Sequence, residues 1–166
     1  RQGDAHRCMA AVQFVLGETA NALQHALQAI QYAEKADDRI GLMYTRNILG
    51  GCYLRLGDYP AAQILYRQAL AIAQDTQNNQ EIGRLYKNIG VAMSLQGEYQ
   101  EAIVCYDRAL PFIEALDDAG EAAKIYNNYA VEYTRLERLG EAQHWARKAY
   151  DGFHTTARWR GVIRAT

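Results

Sequence analysis

One stretch of this chain occurs twice, and the distance between the two copies constrains the fold more than any other feature. Residues 57–70 read GDYPAAQILYRQAL and residues 97–110 read GEYQEAIVCYDRAL, so matching positions are 40 residues apart. A fixed period of this size is typical of arrays in which each copy is one supersecondary unit. Such a unit cannot bury its apolar side alone, so neighbouring units must stack to form a continuous core.

Small residues recur along the whole chain at the same period. They form three columns: Ala22, Ala62, Ala102 and Ala142; Ala29, Ala69, Ala109 and Ala149; and Ala10, Gly50, Gly90 and Ala130. Small side chains at fixed positions let two helices approach closely without a clash. The columns therefore predict four helical hairpins, each with a helix A and a helix B that cross at these positions.

The small and aromatic residues of each copy resemble the consensus positions of the tetratricopeptide repeat (TPR) family. The resemblance rests on Leu49-Gly50, Tyr53, Gly57-Asp58-Tyr59, Ala62, Tyr66 and Ala69-Leu70, and on Asn88-Ile89-Gly90, Gly97-Glu98-Tyr99, Ala102, Tyr106 and Ala109-Leu110. TPR units usually have about 34 residues. A period of 40 implies longer helices, similar to those of Leu-Gly-Asn-rich polarity adaptors and many bacterial signalling regulators. The weakest copies are the first, which lacks the aromatic residues, and the last, which has Glu137 in place of the turn glycine.

These features predict an all-α fold, a right-handed α-solenoid of four TPR-like hairpins plus a partial fifth helix. We expect a single repeat domain over 1–166, with repeats at about 4–38, 39–78, 79–118 and 119–158 and the start of a fifth helix at 159–166. The predicted A helices span 4–16, 39–56, 79–96 and 119–136, and the predicted B helices span 19–35, 59–75, 99–115 and 139–153. We also expect the chain to be a fragment of a longer protein, because it starts without methionine and ends inside a repeat.

Net charge and cysteine content limit which classes of partner the protein can bind and indicate its cellular compartment. The net charge of −1 gives no bulk attraction to nucleic acid or to a membrane surface. Every apolar run is much shorter than the length of about 20 residues that a helix needs to cross a bilayer. The odd set of cysteines, Cys8, Cys52 and Cys105, cannot close a disulfide framework, which favours a reduced, cytoplasmic location. The predicted partner is therefore a protein or peptide, with no direct binding to nucleic acid or membrane.

The sequence contains no recognisable enzyme signature. Gly50-Gly51 is not a phosphate loop, because no predicted strand precedes it and no Gly-Lys-Ser/Thr follows. The four histidines are scattered, and His6 and Cys8 lie on different sides of a helix, so neither a metal site nor a cofactor is predicted. The spacing of the tyrosines indicates packing between helices rather than stacking on nucleic acid. We therefore predict that the protein is not an enzyme.

The candidate binding site is the part of the A helices that the packing columns leave free. In TPR arrays, as the resemblance implies, the A helices line a concave groove that holds a peptide or a partner's helix. Helical spacing from the column of Gly50, Gly90 and Ala130 places these residues in the groove: Tyr44, Asn47, Arg84, Lys87, Asn88, Lys124, Asn127 and Asn128. Cations and amides together predict a ligand that is acidic and is held partly by its backbone. The alternative is that these are ordinary side chains of a solvated helix face.

Two functions remain open at this stage. The first is a non-catalytic protein–protein interaction scaffold that binds a peptide or partner segment in the groove. The second is a sensor or coupling segment of a larger bacterial signalling protein or transcription regulator, in which a partner or effector shifts an attached output domain. We also expect apolar surface at the uncapped C-terminal end, where Trp159, Val162 and Ile163 would pair with another chain in a homodimer.

Overall fold

The computed structural model describes the backbone of residues 2–164 and the side chains of residues 2–155. Its helices are α1 (Gln2–Leu16), α2 (Thr19–Lys35), α3 (Arg39–Arg55), α4 (Tyr59–Asp75), α5 (Asn79–Leu95), α6 (Tyr99–Glu114), α7 (Ala119–Arg135) and α8 (Leu139–Arg164). The A helices are α1, α3, α5 and α7, and the B helices are α2, α4, α6 and α8. Helices adjacent in sequence pack against each other, so four hairpins stack in chain order. The predicted all-α solenoid is confirmed, and the described residues include no strand.

Each helix-to-helix link contains one residue in the left-handed backbone conformation, and successive links are 20 residues apart. These residues are Gly17, Gly57, Gly97 and Glu137 within hairpins, and Asp37, Gln77 and Asp117 between hairpins. Glycine adopts this conformation without steric cost, whereas another residue loses about 1–2 kcal/mol. Glu137 has a φ of 59°. The fourth hairpin therefore turns as the others do, although it lacks the glycine.

The links between hairpins end with a residue whose side chain caps the next A helix. Asp38, Asn78 and Asp118 accept hydrogen bonds from backbone N–H groups of the first helical turn at 2.8, 3.3 and 2.9 Å. These bonds satisfy donors that have no partner within the helix. The start of each interior A helix is therefore set by local side-chain chemistry.

The C-terminal end differs from the expectation. α8 runs from Leu139 to Arg164, so it does not end at Phe153, and no separate helix begins at Trp159 in the described residues. Arg158 stands where the three links between hairpins have a capping Asp or Asn. An arginine side chain has no acceptor, so nothing at this position caps a new helix. The side chains expected to form a dimer contact, Trp159, Val162 and Ile163, lie outside those that the structure describes.

The alanine columns lie in the core, as predicted. In the two all-alanine columns no side chain is more than 7% exposed, and Ala62 and Ala102 are fully buried. Small buried side chains at these positions let neighbouring helices approach each other closely.

In the second and third hairpins, a glycine of helix A lies in close contact with a tyrosine ring of helix B. A Cβ atom added to Gly50 would lie 2.6 Å from Tyr66 Cε1, and one added to Gly90 would lie 2.4 Å from Tyr106 Cε1. Both tyrosines are almost fully buried. The first and fourth hairpins hold alanine at both positions: Ala10 with Ala26, and Ala130 with Ala146. Where helix B has a large tyrosine at this position, helix A has glycine, and where helix B has alanine, helix A also has alanine. Close packing requires such matched sizes.

Successive hairpins are held together mainly by packing between each B helix and the next A helix, and two arginines at the ends of A helices add further contacts. The guanidinium carbon of Arg55 lies 3.8 Å from the centre of the Phe14 ring, and Arg55 also donates to the Phe14 backbone oxygen. Arg135 repeats the arrangement further along the chain, where it donates to Ser94 Oγ at 2.7 Å and lies 5.1 Å from the Tyr99 ring centre. Each arginine donates to a residue that lies 41 positions before it in the sequence. Stacking therefore relies on cation–π contacts as well as on apolar burial.

Replacing Gly90 by alanine should destabilise the third hairpin, because the new methyl group would overlap the Tyr106 ring. We expect the free energy of unfolding, measured by chemical denaturation, to fall by about 1–3 kcal/mol. Gly140→Ala is the control, because an added Cβ there meets nothing within 4 Å. This control should be neutral or stabilising by up to about 1 kcal/mol. In a Tyr106→Ala background the cost of Gly90→Ala should vanish, and an equal cost in both backgrounds would contradict the pairing.

Candidate functional site

The predicted site residues lie on successive A helices, and contacts between the helices join several of them. Tyr44 and Asn47 are on α3, Arg84, Lys87 and Asn88 on α5, and Lys124, Asn127 and Asn128 on α7. Asn88 Nδ2 donates to Asn47 Oδ1 at 2.9 Å, and Lys87 Nζ lies 3.1 Å from Glu121 Oε2. On α1, Arg7 extends the row, with its guanidinium carbon 5.6 Å from the Tyr44 ring centre. We call the surface formed by the eight predicted residues the A-helix face.

Each of the three cations on the A-helix face is paired with a carboxylate. Arg84 Nη1 lies 2.9 Å from Glu81 Oε1, three residues earlier on α5. Glu121 pairs with Lys87 through one oxygen and with Lys124 through the other. The face therefore has less positive charge than the sequence analysis expected. Glu81 and Glu121 could have been found from sequence, because they stand three residues before Arg84 and Lys124 and so share their side of the helix.

Exposure divides the predicted residues into two groups. The Lys124 side chain is 56% exposed and that of Arg84 is 42% exposed, whereas that of Lys87 is only 18% exposed. Asn127 is exposed, and the half-buried members are Tyr44, Asn47, Asn88 and Asn128. Lys124, Arg84 and Asn127 are therefore the groups that a ligand reaches first. Lys87 mainly joins α5 to α7.

Glu121 controls the electrostatics where α5 meets α7. Burial pushes the pKa of this carboxyl upward, but the hydrogen bonds and positive charges of Lys124 and Lys87 outweigh burial and hold the pKa below its ordinary value. Glu121 is therefore an anion at neutral pH. Because its folded-state pKa is lowered, it contributes stability at neutral pH that is lost as the pH falls through the acid range.

Away from the A-helix face, the structure brings together two histidines that the sequence analysis treated as scattered. Nδ1 of His6 lies 2.9 Å from Nδ1 of His25, across α1 and α2. Among the described residues, no three His, Cys, Asp or Glu side chains are grouped so that they could hold a metal ion. Within the same part of the chain, no helix has the length and apolar character needed to cross a membrane. The three cysteines are free thiols: Cys8, Cys52 and Cys105.

Comparison with known families gives a match over most of the chain. The family model described as tetratricopeptide repeat matches residues 1–75 and 81–153. These two ranges include parts of all four hairpins and leave out only a short stretch around the start of α5 and the end of α8.

Solved structures share the fold at low sequence identity. BtubC from P. vanneervenii is similar with a TM-score of 0.84 and 17% identity, over 93% of this chain and 64% of BtubC. Aspartyl phosphate phosphatase F from Bacillus subtilis gives 0.86 and 19%, over 93% of this chain and 41% of the phosphatase. The TPR domain of Arabidopsis FLU gives 0.67 and 21%, over 70% of this chain and 98% of that domain. The chain thus spans less than two thirds of the first two proteins, and the likeness shows the fold alone.

Replacing Arg84 by glutamine should destabilise the fold, because Glu81 is buried and would lose its positive partner. We expect a loss of about 1–3 kcal/mol in the free energy of unfolding. The matched control is Arg67→Gln, since Arg67 is exposed on α4 and has no ion pair within the described part of the chain. Its effect should stay within about 0.5 kcal/mol. Equal effects of the two substitutions in denaturant titrations would show that the Arg84–Glu81 pair has no structural role.

Proposed function

The chain belongs to the tetratricopeptide repeat family, and on this premise we propose that the A-helix face binds a segment of a partner protein. In this family the A helices line a concave groove, and the A-helix face is the corresponding surface here. The proposed function is that of a non-catalytic interaction scaffold that works without a cofactor. Its proposed location is the cytoplasm, where Cys8, Cys52 and Cys105 stay reduced.

The observation that carries this proposal is the row of polar contacts across α3, α5 and α7. On an ordinary solvated face the side chains would move independently, whereas here Asn47 is bonded to Asn88 and Lys87 is paired with Glu121. Side chains that are already held in place lose less entropy when a ligand binds. The bonded asparagines also keep donor and acceptor capacity on their amides. A peptide unit of an extended chain can use this capacity.

The ligand segment that fits this face best is acidic. Three cations stand against two carboxylates, so an excess of positive charge remains: Arg84, Lys87 and Lys124 against Glu81 and Glu121. A guanidinium has five N–H donors, so Arg84 can bind Glu81 and a ligand carboxylate together. Lys124 is the most exposed of the three cations and can turn one donor toward the ligand. Charge would mainly raise the association rate and add salt dependence.

The second candidate function is a sensor or coupling segment within a larger signalling protein or transcription regulator. The similarity to aspartyl phosphate phosphatase F favours it, because this chain aligns with only 41% of that longer protein. In this role the A-helix face would bind a partner or effector and shift an attached output domain. A DNA-binding, nucleotide-binding or cyclase-like domain encoded in the same reading frame would support this function over a simple scaffold.

A further proposed contact is with a second copy of the chain at the C-terminal end. A groove of about 500 Å³ between α7 and α8 is lined by Ala130, Val131, Thr134, Arg135, Leu139, Ala142, Gln143 and Ala146. Ala146 stands where the two middle hairpins have Tyr66 and Tyr106, so no tyrosine ring fills the space. Most of the groove surface is apolar, and such surface favours association when water is displaced.

Reversing the charge of Lys124 should weaken ligand binding without unfolding the protein. The probe is a library of short random peptides selected on the parent protein, and we expect the selected peptides to be enriched in Asp and Glu. Their affinity for Lys124→Glu should fall about tenfold, or about 1.4 kcal/mol. Their affinity for the parent should fall as salt rises.

The control for this experiment is Arg67→Glu, which makes the same charge change on helix α4, away from the A-helix face. Circular dichroism melting checks that both variants remain folded. Selected peptides that bind Lys124→Glu and Arg67→Glu with equal affinity would contradict the proposed site. Selected peptides without acidic residues would contradict only the acidic character of the ligand.

A charge placed in the C-terminal groove should prevent self-association. We expect Ala146→Glu to be a monomer at concentrations where the parent dimerises, as measured by size-exclusion chromatography with light scattering. Ala71→Glu, at an exposed alanine of α4, should behave as the parent does. A parent protein that stays monomeric at high concentration would rule out the dimer.

A further inference from the structure

A second cavity lies away from the A-helix face, where the C-terminal end of α4, the first half of α5 and the second half of α6 meet. Its volume is about 680 Å³, within the range of about 300–1,000 Å³ that is usual for ligand pockets. It is lined by Gln74, Gln77, Asn79, Ile82, Tyr86, Arg108 and Phe112. None of these residues belongs to the A-helix face. We call this cavity the α4–α6 pocket.

The neighbouring repeats show what is unusual about the α4–α6 pocket. Gln74 stands where they have Glu34 and Glu114, and Gln77 stands where they have Asp37 and Asp117. Both acidic positions have thus become amides in this one repeat. The pocket loses two negative charges that the equivalent places keep, while the shape of the helix link is unchanged.

The two glutamates of the neighbouring repeats contact the next A helix. Glu34 lies 4.0 Å from Arg46, and Glu114 accepts a hydrogen bond of 2.6 Å from the Tyr126 hydroxyl. In the α4–α6 pocket Gln74 instead donates to the Tyr86 hydroxyl at 3.2 Å. This neutral and longer bond is weaker than the charge-assisted bond of Glu114. A ligand can therefore displace the Gln74–Tyr86 hydrogen bond more easily than the Glu114–Tyr126 hydrogen bond of the next repeat.

Among the residues that the structure describes, Arg108 is the only charged one that lines the α4–α6 pocket. Its guanidinium carbon lies 5.9 Å from the centre of the Tyr86 ring. Among the described residues, no carboxylate is within ion-pair distance of Arg108. An exposed guanidinium beside neutral amides favours an anion, and its planar set of donors matches a carboxylate.

Two aromatic side chains give the pocket its apolar part. Tyr86 and Phe112 are both half-buried, so part of each ring borders the cavity. Phe112 packs close to α5 at Gly83, where an added Cβ would lie 2.9 Å from Phe112 Cβ. The neighbouring repeats have Ile72 and Gly152 in place of Phe112. Of these three repeats, only this one combines two aromatic rings with an arginine that has no acidic partner among the described residues.

We propose that the α4–α6 pocket binds an aromatic carboxylate, meaning an aromatic ring linked to a carboxylate by a short chain. The carboxylate binds Arg108, the ring packs against Tyr86 and Phe112, and the amides of Gln74, Gln77 and Asn79 bond to polar groups between them. The C-terminal phenylalanine or tyrosine of a peptide has this chemistry, and so does a small aromatic acid. The site is separate from the A-helix face and does not depend on binding there.

The test uses four small probes that separate the elements of this ligand. N-acetylphenylalanine carries the ring, the carboxylate and a peptide-like amide. Its carboxamide derivative lacks the charge, N-acetylalanine lacks the ring, and phenylacetate lacks the amide. From its size, N-acetylphenylalanine should bind with a Kd of about 1 mM or tighter, measured by calorimetry or NMR titration. The carboxamide and N-acetylalanine should each bind at least about tenfold more weakly.

Substitutions in the folded protein locate the site. Arg108→Gln removes the charge and Gln74→Glu restores the carboxylate of the neighbouring repeats, so each should weaken N-acetylphenylalanine about tenfold or more. The matched control Arg67→Gln should bind it as the parent does. Lys124→Glu, on the A-helix face, should also have no effect, which separates this site from the proposed function. Circular dichroism melting verifies that each variant is folded.

The outcomes of this experiment are distinct. If phenylacetate binds as well as N-acetylphenylalanine, the ligand is a small aromatic acid, and if only N-acetylphenylalanine binds, the ligand is a peptide C-terminus. The proposal is overturned if no probe binds, if the carboxamide binds as tightly as the acid, or if Arg108→Gln binds like the parent.

Discussion

The close approach of helices A and B at small residues is the constraint on which the rest of the structure depends. Because Gly90 has no Cβ, the Tyr106 ring can lie against helix α5 and become buried. Tyr106 then meets Tyr129 of the next hairpin edge to face, with ring centres 5.7 Å apart. Tyr129 in turn donates to Asp107 at 2.6 Å and stacks on Trp145. Packing inside one hairpin therefore sets the position of the next, and the row of side chains on the A helices follows from that stacking.

The fold could be predicted almost completely from sequence because its determinants are local and repeat. Left-handed residues and capping residues recur at fixed intervals, and these set helix boundaries through backbone chemistry. The same reasoning explains the misjudged end of α8, since Arg158 breaks the capping pattern although the period alone predicts a new helix. The carboxylates Glu81 and Glu121 were missed. Each of them stands one helical turn before a cation of the same face, so its charge offsets that of the cation.

Contacts between helices, at the site and elsewhere, could not be predicted from sequence. The bond between Asn47 and Asn88 and the contact between His6 and His25 depend on how far one helix is rotated against the next. Spacing along a single helix does not determine that rotation. The charge of the α4–α6 pocket is another feature that could not be predicted from sequence. Gln74 and Gln77 are ordinary polar residues in the sequence. Their role in the pocket becomes clear only in the structure, where they line the same cavity as Arg108. In a repeat protein, positions that depart from their column without a packing reason are the ones to examine for function.

Binding of the partner at the A-helix face can be tested by an NMR titration of the parent protein with one of the selected peptides, following the side-chain amide signals of asparagine and glutamine. If the peptide binds there, the signals of Asn47, Asn88 and Asn127 shift with the bound fraction, while Gln68 on the exposed side of α4 keeps its position. Shifts confined to Gln68 and other residues of the B helices, with the asparagines of α3, α5 and α7 unchanged, would contradict it.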